Sequence, residues 1–370
     1  IQQATAKRLR GPWKEDFQYI DAYANVKTGV EGSSVFKLNG QEKWVLMYDL
    51  YSSGRYEFQT STDLNHFTEQ PQSFTKDFFP RHGSVISLTE AEMQRVQEQW
   101  GYVATYHFES HGNPIIRHIY TADPAAMVEN DTLWLFTGHD MEGRQKGYVM
   151  RDWQLFSTTD MTHWTQHPCP LTVFDFKWAT SKQAYAGHVA KRNDKYYFYV
   201  STNGSGIGVA VSDKITGPYK DAIGKPLLTR QDCFDSKHGW CCIDSDIHRI
   251  AISTEHPFEE APWLHKYQGR YYLTYASGWP EKIAYAIADN VMGPYKTQGV
   301  ISEIAGNSNT THPAIVQYKG QWLFFSHNGG LPEGGSFSRS VVCEPLYNNA
   351  DGSIRNIPPT TKGICGLFNK

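Results

Sequence analysis

An apolar strand, a polar turn and an aromatic strand follow one another in WLHKYQGRYYL, residues 263–273. The turn at Gln268-Gly269 is typical of a β-hairpin, because glycine tolerates the positive φ angles that tight hairpins require. The same arrangement occurs four more times, in VFKLNGQEKWVLMY (35–48), MVENDTLWLF (127–136), VAKRNDKYYFY (189–199) and IVQYKGQWLFF (315–325). The chain is therefore built on an internal repeat.

A second half completes the repeat with another strand and a short turn. It occurs as FQTSTDL (58–64) and LFSTTDM (155–161), and as a variant in which VAVSD (209–213) or AYAIAD (284–289) leads to Gly-Pro-Tyr. Each unit then holds about four short antiparallel strands. Five such units predict an all-β fold, a five-bladed β-propeller, in which radial repetition protects the sheet edges. A β-sandwich is the alternative, but it does not explain why one unit recurs with the same turns.

The composition narrows the functional classes. Thirty-five basic and 38 acidic residues leave a net charge of −3, which excludes a nucleic-acid binder held by a basic surface. Hydrophobic residues make up 40% of the chain, too many for a charged disordered protein, yet no run approaches the roughly 18 apolar residues of a membrane span. The 52 aromatic residues suit strands and flat ligand-stacking surfaces. The six cysteines lack CxxC spacing, so no structural zinc site is expected.

Charged residues recur at the predicted starts of the inner strands. Counting back eight or nine residues from each hairpin turn reaches Glu31, Asp123, Ala186, Glu260 and His312. In a propeller these positions converge on one mouth of the central channel. Carboxylates there cost free energy unless they are paired or used in a reaction. Two carboxylates facing each other across a pocket are what glycoside hydrolysis requires, one protonated as the acid and one ionised to activate water.

Three stretches resemble glycoside hydrolase family 43. TADPA (121–125), followed by LWLFTGHD (133–140), is similar to its first blade, and FEEAPWL (258–264) is similar to its acid-bearing blade. NTTHPAIV (309–316) and GGSFSRS (334–340) are similar to its last blade. The resemblance covers roughly residues 113–360 and is strongest to members that act on arabinoxylan. It implies a hydrolase domain over residues 113–370.

The resemblance also implies roles for particular residues. Asp123 would be the general base and Glu260 the general acid, with Glu259 beside it pointing to the other face of its strand. The family's third carboxylate sits in an Ile-Asp-Pro motif, for which Asp244 in Ile243-Asp244-Ser245 is the counterpart without the proline. His312 would contact an axial calcium or sodium ion or its water shell; no organic cofactor is implied. The implied mechanism is single-step inversion.

Residues 1–112 resemble parts of the same family out of order. VEGSSVF (30–36) is similar to another acid-bearing blade, so Glu31 is an alternative acid, and PRHGSVI (80–86) is similar to the start of a last blade. A capping box, Thr89-Glu90-Ala91-Glu92, predicts a short helix over 89–100. The segment Gly239–His256 is too short for the unit expected there; if Asp123 begins the family order, the third blade is the missing one. Residues 14–70 either complete the propeller or belong to a truncated neighbouring domain.

The remaining site candidates are aromatic and polar residues near the predicted channel. Trp178, Trp153, Trp263 and Trp279 are candidate sugar-stacking platforms, although a propeller also packs aromatic residues between its blades. Arg339 is placed to bond a sugar hydroxyl or an acid, and His139 follows an inner strand.

Two functions remain open at this stage. The first is an inverting exo-glycosidase that releases L-arabinofuranose or D-xylose from arabinoxylan or xylo-oligosaccharides; the second is a catalytically impaired carbohydrate-binding propeller. The sequence does not separate arabinose from xylose and does not address the oligomeric state. No leader segment is recognised at Ile1, which leaves the compartment open. A secreted or periplasmic location suits a polysaccharide substrate, and the cytoplasm suits short oligosaccharides.

Overall fold

The computed structural model describes residues 1–16, 29–51, 55–69, 81–89, 91–92, 95, 105–142, 146–181, 183–232 and 255–368. The chain divides into two compact units, Ile1–Gln97 and Glu98–Lys370. The sequence-based boundary at residue 112 falls inside the second unit, because the strand Tyr106–Glu109 pairs with His163–Gln166. In the parts of the chain that the structure describes, no helix is long and apolar enough to cross a bilayer.

The first unit is built on one four-stranded antiparallel sheet. Its strands are β3 (Val30–Lys37), β4 (Trp44–Leu50), β5 (Arg55–Ser61) and β6 (Thr68–Glu69), and a separate pair is formed by β1 (Gln3–Thr5) and β2 (Lys14–Asp16). Leu46, Tyr48 and Leu50 of β4 form its small core. The predicted capping box is present: the Thr89 N–H donates to Glu92 and the Glu92 N–H donates to the Thr89 hydroxyl. Most of the predicted helix beyond it lies outside the described residues.

The second unit holds four sheets in the described residues. The strands of the first are β7 (Tyr106–Glu109), β8 (Tyr120–Glu129), β9 (Thr132–Asp140), β10 (Met150–Thr158), β11 (His163–Gln166) and β12 (Leu171–Thr172). They pair in the order β7-β11-β10-β9-β8, with β12 also paired to β10. The second contains β13 (Gly187–Arg192), β14 (Lys195–Ser201), β15 (Ile207–Ser212) and β16 (Lys220–Asp221). The third contains β17 (Glu260–Tyr267), β18 (Arg270–Ser277), β19 (Lys282–Ala288) and β20 (Lys296–Ser302), and the fourth β21 (Ala314–Tyr318), β22 (Gln321–Asn328) and β23 (Ser340–Leu346).

All five predicted hairpins are present. In residues 263–273 Tyr267 pairs with Arg270, so Gln268 and Gly269 form a two-residue turn with φ angles of 46° and 83°. Positive φ at both turn positions matches the right-handed twist of the flanking strands. The fold is all-β, and no sheet closes on itself among the described residues.

Aromatic residues fill the space between the sheets of the second unit. Phe136 of β9 meets Phe198 of β14 edge to face at 5.2 Å, and Tyr219 lies 5.4 Å from Phe198. Edge-to-face pairs of this kind add to the stabilisation from burying the rings. Much of the aromatic content therefore packs one sheet against the next.

Candidate active site

A β-bulge carries each of the two predicted catalytic carboxylates. In β8 the register runs from Ala122 opposite Gly138 to Ala125 opposite Phe136, so one extra residue is inserted, and Asp123 takes a φ of 47°. In β17 the register shifts in the same way between Glu260 and Trp263, and Ala261 has a φ of 61°. A bulge bends its strand and re-aims the side chain beside it.

The bulges show that the two acids are not at strictly equivalent positions. Asp123 occupies the bulge residue with positive φ, whereas Glu260 is the residue before it. In the first unit β3 bulges in the same way between Glu31 and Ser34, with Gly32 at a φ of 59°. Glu31 therefore matches Glu260, and Asp123 lies one residue further along its strand.

Asp123 and Glu260 line one cavity of about 460 Å³ in the second unit. The cavity opens between strand ends and loops of its sheets. Its lining comprises Asp123, Tyr148, Tyr185, Ala186, Asn203, Glu259, Glu260, Trp279, Glu281, Thr310, His312 and Arg339. The structure thus brings together the residues proposed from sequence as base and acid with Trp279, His312 and Arg339. Glu259 lines the same cavity, so the expected alternation of faces does not separate it from Glu260, because Glu259 precedes the first residue of β17.

Arg339 is the cation beside Asp123. Its side chain is 5% exposed, and its Nη1 donates to Asp123 Oδ1 at 3.0 Å. Its Nε and Nη2 donate to the two carboxylate oxygens of Asp140 at 2.9 Å, a bidentate pair. Burial would lower the pKa of Arg339, but the charges of Asp123 and Asp140 outweigh it and raise that pKa. The guanidinium stays charged and stabilises Asp123 as a carboxylate.

His327 holds the backbone of Asp123. The Asp123 N–H donates to His327 Nδ1 at 3.1 Å, so the ring proton is assigned to Nε2, which lies 3.3 Å from the Thr310 hydroxyl. Burial, followed by the charge of Arg339, lowers the pKa of His327 well below its usual value. A neutral imidazole therefore sits beside the Asp123 carboxylate.

Two tyrosines complete the wall around Arg339. The Arg339 guanidinium lies 4.8 Å from the centroid of the Tyr148 ring, a cation–π contact. Burial is the largest cause that raises the pKa of both Tyr148 and Tyr185. Both phenols remain protonated and can donate hydrogen bonds to a ligand in the cavity.

Glu281 is a buried carboxylate of the cavity that the sequence did not point to. It is 1% exposed, and its Oε2 accepts a hydrogen bond from the Thr311 N–H at 2.8 Å. It lies in the turn between β18 and β19 rather than at the start of an inner strand, so counting back from the hairpins passes over it. The sequence signal that could have identified Glu281 is its position directly after Trp279-Pro280.

The four candidate tryptophans take different positions. Trp279 is 64% exposed and lines the cavity. Trp153 and Trp263 are 1% and 7% exposed, and their indole N–H groups donate to the Tyr185 and Ile315 carbonyls. Both rings are core residues without a free face for a sugar. Their role is therefore core packing and not the sugar stacking considered for them from the sequence. Trp178 packs against the core and donates to Asp221, also outside the cavity lining.

His139 and Asp244 do not join the described site. His139 Nδ1 lies 2.9 Å from Asp152 Oδ1. Burial lowers the pKa of His139, but its bond to Asp152 and the nearby acidic charges outweigh that and raise it. Asp244, the counterpart of the family's third carboxylate, lies outside the described residues.

Glu31, the alternative acid, belongs to the first unit. Its carboxylate pairs with Arg81 and lies 3.3 Å from His82 Nε2, while Arg81 Nε donates to Asp49 at 3.0 Å. Burial opposes these contacts, but the bonds to His82 and Arg81 lower the pKa of Glu31 overall. A lowered pKa favours the carboxylate form, which is unsuited to a general acid.

The family comparison agrees with this geometry. The model for glycosyl hydrolases family 43 matches residues 111–241 and 243–354, and a model described as a probable glycosyl hydrolase domain matches residues 1–94. A Xylosidase/arabinosidase of Bacteroides ovatus is 29% identical over 312 positions, covering 64% of this chain and 95% of that protein. Xylosidase/arabinosidase 43A of Humicola insolens is 29% identical, covering 65% and 98%.

Solved structures show the same likeness. A β-xylosidase/α-arabinofuranosidase of the same family from a compost microbial metagenome, in complex with xylotriose and in a calcium-free form, is 27% identical with a TM-score of 0.57. The match covers 69% of this chain and 99% of that one. An α-L-arabinofuranosidase from Clostridium thermocellum is 30% identical with a TM-score of 0.52, covering 67% and 97%.

Proposed function

Because this chain belongs to glycoside hydrolase family 43, we propose that it is an inverting exo-glycosidase that releases L-arabinofuranose or D-xylose from arabinoxylan or xylo-oligosaccharides. The observation that carries the proposal is the shared cavity of Asp123 and Glu260, with Arg339 bonded to Asp123. The named activities of the Bacteroides and Humicola relatives support the substrate class.

In the proposed mechanism Asp123 is the general base. Arg339 keeps it ionised, and the bulge with the His327 contact fixes its direction. Asp123 takes a proton from water as the water oxygen attacks the anomeric carbon. Glu260 gives its proton to the glycosidic oxygen as the bond to the leaving group breaks, which inverts the anomeric configuration. Trp279, exposed at the cavity, would stack on a sugar ring.

We propose a family-type five-bladed propeller in which the third blade is reduced. The described residues of the second unit supply four sheets. The alignment with the Bacteroides relative runs over 312 positions but takes in 64% of this 370-residue chain, about 237 residues. About 75 aligned positions thus have no residue of this chain opposite them, and the family model matches the chain in two pieces, 111–241 and 243–354.

A reduced third blade would favour a second candidate function, carbohydrate binding without turnover. It would remove contacts that orient the substrate at the cavity wall. This candidate shares the cavity and differs only in catalysis, so one experiment addresses both.

The His312 position does not fit a directly bound calcium ion. Calcium takes six to eight oxygen ligands, whereas His312 offers nitrogen. Among the described residues the only group of three candidate ligands is Glu31, Asp49 and His82 of the first unit. An ion near His312 would depend on water, and no catalytic step is assigned to it.

The test is hydrolysis of nitrophenyl α-L-arabinofuranoside and nitrophenyl β-D-xyloside by the wild type and by Asp123→Asn, Glu260→Gln and Glu31→Gln. The proposal expects release by the wild type and by Glu31→Gln, and a loss of about 10³-fold in Asp123→Asn. Glu260→Gln should lose more on xylotriose than on the nitrophenyl substrates, because nitrophenolate leaves with little help from an acid. Proton NMR of the first anomer released distinguishes inversion from retention. Binding of xylotriose without release by the wild type would leave the carbohydrate-binding function instead.

A further inference from the structure

Glu281 bonds the peptide on both sides of Thr310. Its Oε2 accepts from the Thr311 N–H at 2.8 Å, and its own N–H donates to the Asn309 carbonyl at 2.9 Å. Glu281 and Thr310 are 1% and 6% exposed, so water does not compete at either bond. The turn between β18 and β19 therefore fixes the backbone of Thr310.

Thr310 is a junction in the network around the proposed base. Its hydroxyl lies 3.3 Å from His327 Nε2, and the other ring nitrogen of His327 accepts the Asp123 N–H at 3.1 Å. The Thr310 hydroxyl also hydrogen-bonds Tyr148. Tyr148 stacks under Arg339, which in turn bonds Asp123. Two routes thus lead from Thr310 to Asp123, one to its backbone and one to its carboxylate.

We propose that Glu281 is a positioning residue for the hydrolytic reaction, which holds Asp123 in its working orientation through Thr310. This inference rests on the proposed function. Glu281 lies in the third sheet's turn, whereas Asp123 lies in the first sheet, so the bonds tie one wall of the cavity to the base on another. A misplacement of a reacting group by about 1 Å can cost about 10²-fold in rate.

The role assigned to Glu281 is that of a hydrogen-bond acceptor. Gln has a carbonyl oxygen in place of the carboxylate Oε2, so Glu281→Gln can still accept from the Thr311 N–H. Glu281→Ala removes the acceptor and leaves that buried N–H unpaired. We expect Glu281→Ala to lower kcat about 10- to 100-fold with KM changed less than about 3-fold. Glu281→Gln should stay within about 3-fold of wild-type kcat, because the acceptor is kept.

Glu303→Gln is the matched control. Glu303 pairs with Lys282, the residue next to Glu281, at 2.6 Å and is 62% exposed at its side chain. The substitution removes this ion pair beside Glu281 and leaves the bonds of Glu281 to Asn309 and Thr311 in place. Unchanged kinetics are expected, since an exposed ion pair contributes little. A loss of kcat in Glu303→Gln equal to that of Glu281→Ala would overturn the specific role.

Thr310→Val is a second variant that tests the same path. It removes the hydroxyl and nearly preserves the shape, so it should lower kcat in the same way as Glu281→Ala. The double variant should lose about as much as the more damaging of the two single variants, because both act through one path. If the kcat losses of the two single variants add in the double variant, the path through Thr310 is refuted. A wild-type kcat in Glu281→Ala, or a kcat loss in Glu281→Gln equal to that in Glu281→Ala, would refute it as well.

A readout that does not depend on turnover separates this inference from the proposed function. With ¹⁵N-labelled histidine, the His327 ring in the wild type should show a protonated Nε2 that exchanges slowly, assigned by its absence in His327→Gln. Glu281→Ala should speed that exchange at least about tenfold, because Thr310 is released, and Glu281→Gln should not. If the wild type is inactive but shows these exchange rates, the proposed function is refuted while the contact from Glu281 to Asp123 stands. If Glu281→Ala leaves the exchange of the His327 ring proton unchanged, the positioning role is refuted.

Discussion

Replacement of Arg339 by Met should destabilise the second unit strongly. Arg339 compensates two carboxylates, Asp123 at 8% exposure and Asp140 at 0%. Removing one partner of a buried ion pair costs about 3–5 kcal/mol, because the charge left behind has neither water nor a counter-ion. The side chain here serves two such partners, so the upper part of that range is expected. Against a typical stability of about 5–15 kcal/mol, the variant loses a third or more.

Arg339→Lys tests whether geometry or charge dominates. The guanidinium bonds both oxygens of Asp140 at 2.9 Å and Asp123 at 3.0 Å. A lysine ammonium keeps the charge but cannot form this fork. We expect a smaller loss, about 1–3 kcal/mol, from the bonds that are not replaced.

Calorimetry is the suitable assay, because a chain with two compact units need not unfold in one two-state transition and calorimetry tests this directly. Asp140→Asn in the Arg339→Met background removes one of the stranded charges and should recover at least about 1 kcal/mol relative to additivity. A loss below about 1 kcal/mol in Arg339→Met, or strict additivity in the double variant, would show that the buried ion pairs do not carry the stability assigned to them.

Three further outcomes are expected. Trp279→Ala should raise KM about 3- to 10-fold by removing a stacking surface, whereas Trp153→Ala should lower the free energy of unfolding by about 3–5 kcal/mol. Kinetic and urea-unfolding assays test both variants. An unchanged KM in Trp279→Ala, or an unchanged stability in Trp153→Ala, would contradict the positions of these side chains. Burial lowers the pKa of His265 to about 4, so between pH 6.5 and 4 the unfolded state binds this proton and the folded state largely does not. This histidine by itself should lower stability by about 3 kcal/mol as the pH drops from 6.5 to 4; His265→Phe should lack this part of the decline, and equal slopes would refute it. Gly112→Ala should lower the thermal midpoint, since the φ is 145° and a Cβ would lie 2.3 Å from the Thr361 carbonyl oxygen; an unchanged midpoint would count against that contact.

The hairpins and two of the four described cavity carboxylates, Asp123 and Glu260, could be predicted from sequence because their signals are local. A two-residue turn such as Gln268-Gly269 needs positive φ, and the residues that tolerate it are few. Counting from these turns to Asp123 and Glu260 crosses one strand, so the prediction holds to within one residue. The bulge moves Asp123 by that one residue, and a bulge leaves little trace in the alternation of side chains.

What the sequence determined by itself is therefore the repeated hairpin, the all-β fold and the pair of acids that face a common cavity. The tertiary structure alone decided which groups surround them. Arg339 meets Asp123 across 216 positions of chain, Trp153 is buried while Trp279 is exposed, and Glu281 reaches Thr311 from the turn of a neighbouring sheet. Contacts between sheets depend on how whole sheets pack, and packing is set by the summed shape of many side chains rather than by any short motif.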